Sequence, residues 1–248
     1  MIRIFIFSLA VFCLTFTSAK AQSVSGQLLY SPTTPEYLAK SYWLLNGLDV
    51  EKIENIDQYL MITECDLYKQ YYSNDIEWSK IREATKGYIN LNKPNFPRRF
   101  EFIQPLYLGR YDTSSKEFEI MKNSQINGIL QMYVSGNQAL HYECINSGAF
   151  KPSLFPINAS LKLSRPLTYM SVHTTTDSAR EYLKYIDENS AVTDFGRLAY
   201  IRYRFKVEQS LTPISNEDGI FANFFGSLES VSVFGDRSMF IKLEEVKF

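Results

Sequence analysis

The hydrophobic period of this chain changes at a junction near residue 95, and that change decides what it can fold into. Before Asn92-Lys93-Pro94-Asn95-Phe96-Pro97, apolar side chains recur at three- and four-residue spacing; after it they alternate, apart from one further helical stretch. Helices repeat about every 3.6 residues and strands every two, so a helical block must precede a β-rich one. Two prolines among polar residues stop the helical register at the junction. The expected class is α+β: a helical region over residues 22–93 packed on a mainly antiparallel sheet region over residues 94–248 with one further helix.

The helical block carries its own start signals. Thr34-Pro35-Glu36 places a capping hydroxyl before a proline at the first helical position. Leu38, Tyr42 and Leu45 then share a face, and Gly47 is placed to end the helix in the left-handed conformation. A second helix is predicted from Val50 to Tyr72, with Ile53, Ile56, Leu60, Leu67 and Tyr71 as its stripe. Asn74 followed by Glu77 opens a third, with Trp78, Ile81, Thr85 and Tyr88 turned inward.

Past the junction, Phe100, Phe102, Leu106 and Leu108 fall on one strand face, and Pro105 marks that strand as an edge or bulged one. Further strands are predicted at Phe118–Ile120, Ile129–Val134, Ala159–Leu163 and Leu167–Val172. A helix capped by Thr175-Thr176-Asp177 presents Ala179, Leu183 and Ile186. The clearest strand is Leu198–Val207, and a terminal hairpin turns at Gly235-Asp236-Arg237-Ser238 between Ser227–Phe234 and Met239–Phe248.

The first 21 residues read as a secretory signal peptide: Arg3, an uncharged apolar stretch, then the small-x-small site Ala19-Lys20-Ala21. The apolar stretch is shorter than the roughly 20 residues that span a bilayer as a helix. Cleavage therefore leaves no stable membrane span, and the periplasm or the medium is the expected destination. Cys13 leaves with the leader, so Cys65 and Cys144 form the expected disulfide of an oxidising compartment.

Cys65-Asp66-Leu67-Tyr68, the Asn74–Glu83 segment and Phe100–Ile120 with Leu108-Gly109-Arg110-Tyr111-Asp112 resemble an uncharacterised family of exported bacterial proteins that carries only a domain-of-unknown-function label. The resemblance implies an envelope or secreted protein of bacterial origin and supplies no activity or ligand.

Chemistry is constrained mostly by exclusion. A 45% hydrophobic content with a formal charge of −1 is incompatible with disorder and lacks the basic excess of a nucleic-acid binder. His141 and His173 have no metal-ligand spacing, and no GxSxG, P-loop or GxGxxG signature is present, so no cofactor or metal is expected. Asp112 and Asp236 sit in predicted turns and are the candidate catalytic carboxylates, should the two hairpins meet. Arg202, Arg204 and Lys206 occupy alternate strand positions about 7 Å apart, a candidate anion-binding face. The expected function is a non-catalytic envelope or secreted binding or accessory protein, with an envelope protein, host protein or anionic glycan as partner. The alternative is a glycan- or ester-cleaving hydrolase using turn carboxylates or a cryptic nucleophile.

Overall fold

In the computed structural model, which describes residues 29–135, 158–216 and 219–248, the change of period is a change of layer. Strand β1 (Ser31–Pro32) precedes four helices, α1 (Pro35–Leu44), α2 (Ile53–Thr63), α3 (Cys65–Tyr71) and α4 (Asp75–Asn92). Strands β2 (Arg99–Asp112), β3 (Glu117–Ile120), β4 (Ile129–Ser135), β5 (Asn158–Leu167) and β6 (Ser171–His173) follow. Helix α5 (Thr176–Asn189) then leads to β7 (Val192–Thr193), β8 (Gly196–Asn216), β9 (Gly219–Phe234) and β10 (Lys242–Lys247). The class is α+β, with all these strands in one curled, mostly antiparallel sheet.

The three helix caps anticipated at Thr34, Asn74 and Thr175 all form, while the second helix starts at Ile53 without a side-chain cap. Thr34 Oγ1 accepts the Tyr37 N–H at 3.3 Å, Asn74 Oδ1 that of Glu77 at 3.2 Å, and Thr175 Oγ1 that of Ser178 at 3.1 Å. The end of α1 differs from expectation: Asn46, not Gly47, takes the left-handed conformation (φ 60°). Gly47 is needed for space, because a Cβ there would lie 2.3 Å from the Tyr42 ring.

The helix expected over 50–72 is two helices. Glu64 leaves the helical region (φ −132°, ψ 54°) directly after Thr63, whose hydroxyl donates to the Tyr59 carbonyl at 2.9 Å. Such back-bonding competes with the helical ladder. The break lets Tyr68 and Tyr72 meet Trp78 of α4 edge-on, at centroid distances of 5.5 and 5.4 Å. Ile53 and Tyr88, expected inside, are exposed, and Ile89 is buried in α4 instead.

The sheet order is β4-β5-β9-β8-β2-β3-β6. β1 and β3 share the outer edge of β2, at Phe100–Glu101 and Leu108–Asp112. β5 and β10 likewise share that of β9, at Phe221–Gly226 and Ser230–Phe234. β1–β2 and β5–β9 are parallel and the other pairings antiparallel. Although β2 is interior to the sheet, Pro105 falls in the gap between β1 and β3, where the missing N–H costs no ladder bond. The strand expected at 167–172 is replaced by a longer β5 and a short β6.

Curling brings opposite edges together. Glu244 of β10 accepts the His173 N–H of β6 at 3.0 Å and the Tyr169 hydroxyl. Ala199, Ile201, Tyr203, Phe205 and Val207 of β8 are buried, and Phe205 stacks on Phe100 at 5.7 Å. Tyr42 of α1 meets Phe224 edge-on, and Tyr182 of α5 meets Phe118 likewise, so one hydrophobic cluster takes in both helical groups and the sheet.

Phe205→Ala should cost about 3–5 kcal/mol in chemical denaturation, the range for emptying a packed aromatic site. Phe240→Ala, at a position 87% exposed, should shift stability by less than about 0.5 kcal/mol.

Candidate functional site

The two regions singled out by sequence sit on different parts of the sheet. Asp112, at the end of β2, lines an open groove of about 830 Å³ with Glu117, Ser171 and His173. β3 and β6 place the last three, since Glu117 pairs with His173 in register and Ser171 lies two residues before it. Ser171 Oγ donates to Glu117 Oε2 at 2.7 Å and lies 3.4 Å from His173 Nε2. His173 Nδ1 is 3.4 Å from the same carboxylate oxygen. A hydroxyl, an imidazole and a carboxylate thus converge, but the hydroxyl proton is directed at the carboxylate, not at the imidazole that would act as its base.

Asp112 is committed to its turn. Its Oδ1 accepts the Ser114 N–H at 2.7 Å, the Ser114 hydroxyl at 2.6 Å and the Ser115 N–H at 3.4 Å. These bonds, the Ser114 hydroxyl foremost, hold its carboxyl below the usual aspartate range. Asp236 is 5% exposed, and its Oδ1 accepts the Ile241 N–H at 2.7 Å across the β9–β10 turn. It does not line the groove of Asp112. Each aspartate does what a turn aspartate does, satisfying backbone donors nearby.

The β8 row faces away from the buried positions of its own strand. Arg204 Nε donates to Glu101 Oε2 of β2 at 2.9 Å, and its guanidinium lies 4.7 Å from the Tyr30 ring centre. Lys206 joins no ion pair among the described residues, while neighbouring Arg99 is paired with Glu229 at 2.9 Å. Arg202 has no carboxylate within salt-bridge distance among the described residues. Its guanidinium lies 4.8 Å from the Phe234 ring centre, and one terminal nitrogen approaches Met239 Sδ at 3.9 Å.

Arg202 Nε is buried without a hydrogen-bond partner, and so is the hydroxyl of Ser232. The two residues are directly opposite on β8 and β9, and Glu245 of β10 is opposite Ser232. Burial, then the charge of Arg204, lowers the Arg202 pKa from the ordinary arginine value; Glu101 and Glu245 oppose the shift. Two adjacent strands, β8 and β9, therefore each present an unspent buried donor, with the Glu245 carboxylate of β10 alongside. Ser232 went unnoticed in sequence, although Ser230-Val231-Ser232-Val233 alternates small polar and branched apolar residues. Ser171-Val172-His173 was equally legible as two polar groups on one strand face.

A family model described as a domain of unknown function, DUF4852, matches residues 52–185, more than half of the chain. The chain belongs to the DUF4852 family. The matched segment runs from the start of α2 into α5 and holds the Asp112 groove; β8 and its cations lie beyond it. No curated protein and no solved structure matches the chain. Among the described residues no cluster of His, Cys, Asp and Glu is arranged to hold a metal, and no helix is long and apolar enough to cross a membrane. Cys65 opens α3, half-buried; Cys144 and His141 lie outside the described residues.

The lowered Asp112 carboxyl gives a pH test. Its turn bonds contribute stability above the unfolded aspartate pKa, a contribution lost as pH falls through the lower folded value. Carboxyl ¹³C titration should place the midpoint below the usual aspartate range, and Ser114→Ala should move it back up.

Proposed function

We propose that this chain is an exported, non-catalytic binding or accessory protein of the bacterial envelope or surrounding medium, and that it takes an acidic ligand on the β8–β9 face. The observation that carries the reading is the pair of buried, unpartnered donors, Arg202 Nε and Ser232 Oγ, beside Arg204 and Lys206. A buried donor left unmade costs about 1–3 kcal/mol, and an anion seated there recovers it. The row repeats at strand spacing, which suits a polymer with regularly placed carboxylates, so an anionic glycan is the ligand class of choice.

Export rests on the Arg3-to-Ala21 segment and goes with a Cys65–Cys144 disulfide. Cys65 is a partnered residue, as that pairing requires. In the chain-entropy model, closing a loop of about 80 residues is worth roughly 4–5 kcal/mol.

A hydrolase is the second reading, favoured by Ser171, His173 and Glu117 lying within 3.4 Å of one another in the Asp112 groove. It requires Ser171 to turn from Glu117 to His173 when substrate binds. Turnover of an aryl ester that disappears in Ser171→Ala would replace the binding reading with this one.

Polygalacturonate should bind the purified protein, with affinity falling as salt rises, and Arg202→Gln should weaken it by about tenfold or more. Uncharged dextran should not bind. Equal retention of dextran, or unchanged polygalacturonate affinity in Arg202→Gln, contradicts the reading. Protein recovered from the envelope or medium should begin at Gln22.

A further inference from the structure

A second cavity, of about 280 Å³, lies where α1 ends, α2 approaches and α4 finishes. We infer that it is a binding site for a small zwitterion of the α-amino-acid class with an aliphatic side chain. It is remote in sequence from the β8 row, and its function does not depend on that row.

Three observations specify the ligand. Trp43 forms part of the wall and is 1% exposed, and its indole N–H is buried without an acceptor. The molecule's other tryptophan, Trp78, gives its indole N–H to Asp57 at 2.9 Å, so an unpaired indole donor is not the rule in this fold. Next, Asp49 and Lys93 both line the cavity, yet they form no ion pair with one another among the described residues. Lys93 Nζ donates to Asn46 Oδ1 at 2.8 Å, which orients the ammonium and leaves it further protons to give. Asp49 uses Oδ1 to cap the Glu51 N–H at 2.9 Å, which fixes the carboxylate. Last, Leu48, Val50 and Ile89 add apolar side chains to the same lining.

An acid and a base that line one cavity without pairing, together with apolar side chains, match a molecule that carries both charges and a hydrocarbon group. The ligand carboxylate goes to Lys93 and the Trp43 indole, its ammonium to Asp49, and its side chain to Val50 and Ile89. The cavity lies just below the roughly 300–1,000 Å³ of drug-sized sites, which restricts it to a small occupant. A neutral sugar would leave both charges unmatched, and a simple anion would leave Asp49 facing like charge.

The test is an ¹H–¹⁵N indole titration of the full folded protein with L-leucine at millimolar concentration. The Trp43 resonance should move saturably while Trp78, already bonded, stays in place. Asp49→Asn and Lys93→Gln should each weaken the response by about tenfold or more, because each removes one charge-assisted bond and leaves a hydrogen-bonding group. Arg202→Gln should leave it unchanged, which separates this site from the anion face. A Trp43 signal unmoved by L-leucine overturns the proposal. So does an equal response to D-glucose, or an undiminished response in both cavity variants.

Discussion

Everything in this molecule is referred to the antiparallel ladder between β8 and β9. These two strands are the longest in the sheet, and they pair from Tyr200–Phe234 out to Asn216–Gly219. Because side chains alternate along a strand, the ladder sorts the chain into two faces. Ile201, Tyr203, Phe205 and Val207 go to the core, and Arg202, Arg204 and Lys206 to the opposite side. β2 is ordered by pairing along β8, and β5 and β10 by dividing the free edge of β9.

The helices take their positions from the same frame. Tyr42 fixes α1 near the far end of the hairpin through Phe224 and a hydroxyl bond to the Leu211 carbonyl at 3.2 Å. Tyr182 fixes α5 at the near end through Phe118 and through the Leu198 carbonyl at 3.3 Å. Both tyrosines place a ring in the core and a hydroxyl on backbone oxygen, which avoids burying an unpaired polar group. The cavity beside Trp43 lies at the outer end of α1, so it inherits its position from the hairpin although it touches no strand.

Local chemistry was legible in the sequence and long-range pairing was not. The caps at Thr34, Asn74 and Thr175, the β8 alternation and the turn roles of Asp112 and Asp236 all depend on near neighbours in the chain. The break at Glu64 goes with Tyr68 of α3 and Tyr72 just after it packing on Trp78, a long-range contact that the smooth apolar stripe over 50–72 conceals. Pro105 pointed to an edge or bulged strand, yet β2 is interior; the proline sits in a local gap that only the placement of β1 and β3 creates. The candidate sites divide in the same way. The cation row followed from alternation alone, whereas the unpaired Ser232 beside Arg202 emerges only from the register of β9.

The central claim is that the β8–β9 ladder is the frame on which the rest depends, and native-state hydrogen exchange tests it most directly. Amides of Ala199–Val207 and Leu228–Phe234 should be the slowest in the protein, exchanging only through global unfolding. The edge strands β4 and β6 should open at lower free energy. If the slowest amides lie instead in α1–α4 while the β8–β9 amides exchange through a cheaper local opening, the helical block is the frame and the account is contradicted.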